Sequence, residues 1–457
     1  MASSDLVFSV TRGKPVLVSP AKPTPHEFKL LSDIDDQECL RFQLPILQFY
    51  RNDPSMRGRD PVGVIRDAIA KALVFYYPFA GRIREGPGRK LTVECTGEGL
   101  AFIEADADVS LKQFGDELHP PFPCLEKLLY DVPGMGEIIN CPLLLIQVTR
   151  LTCGGFIFAL RLNHTMSDGS GIVQFMSAVG ELARGARAPS VLPSWGRERL
   201  SARDPPRVTH VHRQYDQVTD TKSNVTPLND MAYRSFSFGP RELSILRKQV
   251  PHHLRTCSSF ELLSGCFWRC RTIAVRPAPD EEMRYIFFFN VRDKCQPPLP
   301  AGYYGNGVVL AAATSPASKL CQNPLGYAVE LVKNAKSDVT QESIQSMADL
   351  MVIKRRRPYF TLPGTYIVSN VTRVAFMDVD FGWGKAVYGG LARGIVYDNI
   401  PDISSFHLRF RNAEGEDRIM VSICLPQPAM ERFVAEFESM MKEPIVSSTY
   451  KFTKSPL

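Results

Sequence analysis

Eight histidines occur in this 457-residue chain, and seven stand where a packed or solvated role is the default. His26 follows Thr24-Pro25, His119 precedes two prolines, His210 and His212 lie in a polar stretch, His252 and His253 follow Pro251, and His407 falls within an apolar run. His164 differs. It ends the apolar run Phe156–Asn163 and opens the polar turn His164-Thr-Met-Ser-Asp-Gly-Ser-Gly171. A side chain that closes a strand at a glycine-bearing turn is presented at a sheet edge, where ligand crevices form. A neutral imidazole there is poised to remove a proton near neutral pH. Asp168, four residues on, either supports the ring directly or locks the turn through an arginine elsewhere. On its own, H-x-x-x-D reads equally as a polar turn holding a chance histidine and aspartate.

A second cluster, Asp380-Phe-Gly-Trp-Gly384, holds one of only three tryptophans. Gly382 and Gly384 permit close backbone approach and would expose the Trp383 indole N–H as a donor. The bland alternative is a tight loop around a buried aromatic plug.

The elements that must position these residues follow from periodicity. Leu143–Thr149 and Phe156–Asn163 read as an antiparallel hairpin turned at Cys153-Gly-Gly155. A helix follows from about Gly171, with Ile172, Phe175, Val179 and Leu182 on one face and Gly185 past its end. Upstream, Pro61 starts a helix with Ile65, Ile69, Leu73 and Tyr76 at helical spacing, stopped by Pro78, and Lys90–Cys95 reads as a strand. Downstream, Ser258–Arg271 reads as a helix with Glu261 placed for a capping box. Tyr285–Val291, Ser404–Phe410 and Arg418–Cys424 read as strands, Asn323–Ala335 and Gln341–Met351 as helices. The chain closes on an amphipathic helix from Pro428 whose apolar face is Met430, Phe433, Val434, Phe437 and Met441. Strands and helices mix without strict alternation, so the expected fold class is α/β with two mixed-sheet domains. The domains are placed at 1–188 and 228–457, joined by the Pro- and Arg-rich stretch 189–227, which has no apolar period.

Composition excludes several classes. A 44% hydrophobic and 22% charged chain is ordinary globular protein, and a net charge of +6 without a basic face argues against nucleic acid as a partner. No apolar run approaches the ~20 residues that span a bilayer, and the start has no secretory pattern, so no membrane partner is expected. The eleven cysteines lack paired C-x-x-C spacing and are read as reduced thiols of a cytoplasmic protein. Cys266 and Cys270 read as buried helix thiols rather than half a zinc site, and no metal ligand set is identified. Lys354-Arg-Arg-Arg-Pro358 is read as a solvated loop, Gly86-Pro-Gly-Arg-Lys90 as a turn before a strand, and Ser455-Pro-Leu457 as no peroxisomal signal.

Taken together, the two clusters make the chain resemble the BAHD acyl-CoA-dependent acyltransferases of plants, within the chloramphenicol-acetyltransferase-like fold. His164–Asp168 with Gly169, and Asp380–Gly384, stand in the family's order and separation. Tyr77-Pro-Phe-Ala-Gly-Arg82, Ser258-Ser-Phe-Glu261, Asn290-Val-Arg292 and Tyr304-Gly-Asn306 match as well. Val16–Lys22, Leu31-Ser-Asp-Ile-Asp-Asp36 and Cys141–Thr149 resemble the clade of alcohol acyltransferases and benzyl alcohol benzoyltransferases. The resemblance implies two similarly sized domains with a channel between them, and a segment near 383–400 that crosses back onto the first domain. It implies His164 as general base, Trp383 as a second-rank oxyanion donor, and Asp168 paired with Arg292 to fix the histidine loop. Gly169, Asp380, Gly382 and Gly384 would be structural, and Ser258 and Ser259 would contact CoA. It further implies a monomer with acyl-CoA as co-substrate, no other cofactor, and a small neutral alcohol as acceptor. Benzoyl-CoA with benzyl alcohol is the first expectation. An acetyl or aliphatic donor, a specialised-metabolite hydroxyl, and a non-catalytic scaffold of the same fold are the alternatives.

Overall fold

The computed structural model describes residues 6–115, 117–216, 230–356, 362–393 and 403–442. Two large mixed sheets organise them. The first has seven strands. Its main path runs Val10–Arg12, Leu100–Ala107, Leu144–Arg150, Phe156–Asn163, Gln43–Tyr50 and Tyr388–Leu391, and Val16–Val18 pairs with Leu100–Ala107 as well. The second has six, in the order Met231–Phe238, Asp417–Pro426, Ser404–Arg411, Thr365–Asn370, Glu282–Asn290 and Val308–Pro316. A small third sheet joins Phe28–Leu30, Leu91–Glu94 and Arg82–Glu85. This is mixed α/β architecture, in agreement with the sequence.

Local chemistry explains most elements. Asp60 caps the helix Pro61–Phe75 through the amides of Val62 and Gly63, and Pro61 occupies its first turn. The helix Ser259–Val275 carries the full Ser258/Glu261 capping box. Phe156–Asn163 is buried on both faces: Phe156, Phe158 and Leu160 pack under the helices, Ile157 and Ala159 on the opposite side. A strand covered twice reads as a continuous apolar run, which is why it is plain in the sequence. The tight turn after Leu144–Arg150 places Gly154 at φ +80°.

Several strands were not singled out in the sequence: Gln43–Tyr50, Leu100–Ala107, Met231–Phe238, Val308–Pro316, Thr365–Asn370 and Tyr388–Leu391. The last lies within the second half of the sequence yet pairs antiparallel with Gln43–Tyr50, Tyr388 opposite Phe49 and Leu391 opposite Ile46. It therefore forms the edge of the first sheet. Residues 394–402 and Ser455-Pro-Leu457 lie outside the described residues.

Within the Pro- and Arg-rich stretch, Arg197 is 1% exposed. One reading needs correction in part: Lys354 and Arg355 are exposed, as expected of a solvated loop, but Arg356 is not. Arg356 is buried, reaching Asp33 and Asp36 at 3.1 and 3.0 Å and the Gly88 carbonyl at 2.8 Å. In both cases an arginine in polar sequence is drawn inside by carboxylates from a distant part of the chain.

Candidate active site

His164 follows directly on Asn163, the last residue of its strand. Its amide donates to the Phe42 carbonyl at 3.0 Å, continuing the pairing with the neighbouring strand, and the Phe42 ring lies 5.1 Å from the imidazole. The ring is well inside the protein yet only half-buried by area, because it opens into a cavity. Nδ1 is shut away from solvent without a well-formed hydrogen bond, which leaves Nε2 on the cavity side. Burial pushes the His164 pKa below its ordinary value, opposed by its own carbonyl, Asp168, Asn306 and Asp35. A neutral ring is the form that accepts a proton.

The Asp168 carboxylate is fully engaged elsewhere. Arg292 grips it with two 2.8 Å hydrogen bonds, Gly307 N–H donates at 2.8 Å, and Gly171 N–H at 2.9 Å as the cap of the helix Gly169–Ala183. Burial alone would raise its pKa; Arg292 and the two amides outweigh that and hold the carboxyl below its ordinary range. With four donors on two oxygens it has no capacity left to take the histidine's proton. Arg292 also donates to the Gly305 carbonyl at 2.9 Å. The histidine turn is thereby tied to the loop 292–307 after the strand Glu282–Asn290.

Gly169 needs no special backbone: a β-carbon there would meet Val374 at an ordinary 3.4 Å. The constrained glycine is Gly171, where a β-carbon would stand 2.2 Å from the Tyr304 carbonyl oxygen. The same carbonyl accepts Ser167 Oγ at 2.6 Å, so turn and loop touch main chain to main chain.

A second buried carboxylate underlies the turn, unremarked in the sequence as a site residue. Asp35 Oδ1 accepts the Asn306 amide and Nδ2, both at 2.9 Å, and Oδ2 accepts Arg197 at 2.6 Å and the Ser32 hydroxyl at 2.6 Å. Asn306 Nδ2 reaches the His164 carbonyl at 2.9 Å, and Arg197 reaches the Met166 carbonyl at 2.7 Å. Asp35 and Asn306 each lie in a run quoted for the family resemblance, which was the available signal. Arg197 sits in the Pro- and Arg-rich stretch and had none.

The cavity wall around His164 is largely apolar, with Leu40, Phe42, Leu44, Phe376, Leu391 and Phe406, and its polar groups include Ser170, Asn290, Ser369 and Asn370. No lysine or arginine is among its described lining residues. Through Ser170, Phe288, Asn290, Asn370 and Val374 it adjoins a larger hollow of about 620 Å³, lined also by Ser258, Ser259, Phe260, Lys336, Arg373 and His407. Ser258 is committed to its helix cap, accepting the Glu261 amide at 3.2 Å, and Lys336 holds Glu261 at 2.7 Å.

The Asp380–Gly384 cluster is not at this cavity. Trp383 is 5% exposed and its ring stands edge-on to Phe156, 5.3 Å away. Phe156 begins the strand that ends at Asn163, and His164 follows it, so eight residues at ~3.3 Å put Phe156, against which the indole packs, roughly 26 Å from His164. Asp380 also abuts Gly180, eleven residues along the helix from Gly169, or ~16 Å at 1.5 Å per residue. The indole cannot reach an oxyanion at His164, and the donor role for Trp383 is withdrawn. Gly382 at φ +114° and Gly384 at φ +81° make a turn that few other residues would adopt, closed by Asp380 Oδ1 accepting Gly382 N–H at 2.7 Å. Among the described residues no group of three or more His, Cys, Asp or Glu side chains is placed to hold a metal ion, and no helix is long and apolar enough to cross a membrane.

Comparison with known proteins agrees with this geometry. The model of the Transferase family matches residues 8–440. The chain is 62% identical to a benzyl alcohol O-benzoyltransferase of Nicotiana tabacum, over 100% of this chain and 99% of the relative, and 63% identical to a benzyl alcohol O-benzoyltransferase of Petunia hybrida, over 96% and 95%. Among solved structures, vinorine synthase superposes with a TM-score of 0.70 at 19% identity, covering 95% of this chain and 99% of that one, and so shares the fold. Its motifs, its architecture and a match along nearly its whole length agree: this chain belongs to the Transferase family, that of the BAHD acyltransferases.

Proposed function

We propose that the chain is an acyl-CoA:alcohol O-acyltransferase, with benzoyl-CoA as donor and benzyl alcohol, or a similar small neutral alcohol, as acceptor. One observation carries the reading. A partly exposed, neutral imidazole offers Nε2 to an apolar cavity while the neighbouring carboxylate is consumed by Arg292. That pairing makes His164 the base and Asp168 the brace. The names of the two benzoyltransferase relatives supply the substrate class.

The chemistry needs little else. A hydroxyl becomes an effective nucleophile when its proton is taken during attack. His164 Nε2 accepts that proton as the alcohol oxygen bonds to the thioester carbon and the carbonyl pair moves onto oxygen. Collapse breaks the carbon–sulfur bond, and the imidazolium returns its proton to the departing thiolate. Transfer is direct, within one ternary complex. With Trp383 too distant, the polar groups available to the developing oxyanion are those on the cavity wall, Ser170, Asn290, Ser369 and Asn370. The acyl donor enters from the larger hollow, where Arg373 supplies positive charge and Ser259 opens the helix Ser259–Val275. The alcohol occupies the apolar end.

We read the protein as a cytoplasmic monomer that works without a resident cofactor. Eleven cysteines, none of them in a disulfide among the described residues, fit a reducing compartment. A donor-by-acceptor panel tests the function: benzoyl-CoA with benzyl alcohol is expected to release one thiol per ester formed. Absence of ester from every acyl-CoA and alcohol pair would overturn it in favour of a non-catalytic member of the fold.

A further inference from the structure

The imidazole of His164 lacks the support a catalytic histidine ordinarily has. No carboxylate holds Nδ1, because Asp168 is turned to Arg292, and Nδ1 itself makes no well-formed hydrogen bond. The direction of the ring is then set by the main chain of the turn and by Asn306, whose side chain also stands beside the ring. Three successive carbonyls of that turn are held by side chains. Asn306 Nδ2 donates to the His164 carbonyl at 2.9 Å and to the Thr165 carbonyl at 3.3 Å, and Arg197 donates to the Met166 carbonyl at 2.7 Å.

Asn306 and Arg197 come from different parts of the chain and meet on one carboxylate. Asp35 gathers five donors: Asn306 N–H and Nδ2, Arg197, and the Ser32 amide and hydroxyl. Asp35 and Asn306 are fully buried and Arg197 is 1% exposed, with its guanidinium 4.4 Å from the Trp195 ring centroid. A buried guanidinium beside a buried carboxylate is a pair that neither partner can leave cheaply. The arrangement is stiff for that reason, and stiffness at the turn is what an unsupported imidazole requires. Misplacement of a catalytic group by ~1 Å costs about 10²-fold in rate.

We propose that Asp35 is a positioning residue for the transfer reaction: through Asn306 and Arg197 it fixes the His164–Met166 carbonyls and so aims the imidazole into the cavity. The inference rests on the reading of His164 as base. The titratable and charged groups facing His164 are Asp168 with its Arg292, Asp35 with its Arg197, and the Cys39 thiol across the cavity.

Asn306→Ala cuts the link to the turn while leaving the Asp35–Arg197 pair in place, and Asp35→Asn removes the hub itself. Both are assayed beside His164→Ala in the full chain with benzoyl-CoA and benzyl alcohol, per folded molecule. Asn306→Ala is expected to lower kcat ~10–10²-fold, with KM for benzoyl-CoA within about threefold of wild type. Asp35→Asn is expected to do at least as much. It is also expected to move the acid limb of kcat/KM to lower pH, because the removed charge favours the protonated ring. If Asp35→Asn does not fold, Asn306→Ala decides alone. Unchanged kcat in Asn306→Ala, or a loss in KM for benzoyl-CoA with kcat preserved, would overturn the proposal. Activity retained in His164→Ala would instead overturn the base on which it stands, so the two failures are distinguishable.

Discussion

Two short runs of this chain, His164–Gly171 and Asp380–Gly384, are equally unusual in composition and do opposite work. They meet the strand Phe156–Asn163 and the helix Gly169–Ala183 at opposite ends. Around His164 the ring stands partly exposed at a cavity, with Nδ1 shut away from it, and Asp168, Asn306 and Arg197 hold the turn. Around Trp383 the rings interlock: Phe381 lies 5.4 Å from Tyr50 and 4.9 Å from Phe158, the tryptophan rests on Phe156, and Arg184 donates to the Asp380 carbonyl. The first run presents its imidazole to an open cavity; the second packs its rings against other rings. A rare motif marks a constraint, and whether its side chain meets a cavity or a packed core shows whether the constraint is chemical. The strand Tyr388–Leu391, which follows the second run, gives that constraint its purpose, since the turn delivers it to the edge of the first sheet.

If this contrast is right, the largest loss comes from the first run. His164→Ala should lower kcat at least ~10²–10⁴-fold with affinity for CoA nearly unchanged, measured by steady-state kinetics and calorimetry. The described lining of the wall, largely apolar and without lysine or arginine, predicts the next effect. A carboxylate acceptor such as shikimate would need a bidentate arginine to offset its desolvation, and Arg356 is committed to Asp33 and Asp36. Benzyl alcohol should therefore exceed shikimate by at least ~10²-fold in kcat/KM, about 2.7 kcal/mol. Comparable ester yields in a competition assay would refute this.

Asp168→Asn should cost stability first, roughly 3–5 kcal/mol, because it leaves Arg292 paired to a neutral amide inside the protein. Lost activity with an unchanged melting temperature would make Asp168 a direct partner of the base instead of a brace. The pH profile gives a smaller effect of defined sign. The base works deprotonated and burial lowers its pKa, so kcat/KM should rise with pH through a limb centred below about 6.5. A limb centred at or above 7 would contradict the geometry. The smallest effect on rate belongs to the second run. Trp383→Phe should lower the melting temperature yet keep kcat within about threefold, whereas loss of an oxyanion donor costs ~10²–10³-fold.

Much of this was legible in the chain before any coordinates. Strands buried on both faces and capped helices declare themselves by periodicity, as Phe156–Asn163 and Ser259–Val275 do. The Asp168–Arg292 pair was implied by the family resemblance, and the structure forms it with two 2.8 Å bonds. What stayed hidden depends on distance through space. Gln43–Tyr50 and Tyr388–Leu391 are separated by more than three hundred residues, and no local pattern announces that they pair. Arg356 read as solvated because it stands in a basic run, and Arg197 drew no notice in the Pro- and Arg-rich stretch; only the approach of Asp33 and Asp36, or of Asp35, makes their burial affordable. Trp383 was misplaced for the complementary reason: its neighbours in sequence suggested a donor, and its neighbours in space are phenyl rings.

The most direct test is a single-turnover experiment with benzoyl-CoA labelled in the acyl group, with and without benzyl alcohol, on wild-type enzyme and on His164→Ala. Direct transfer with His164 as base predicts that, in the wild type, label moves to benzyl benzoate with one thiol released per ester. It predicts no label on the protein in the absence of alcohol, and less than a tenth of the wild-type ester rate in His164→Ala. Label retained on the protein without alcohol, or ester formed by His164→Ala at more than a tenth of that rate, would contradict it.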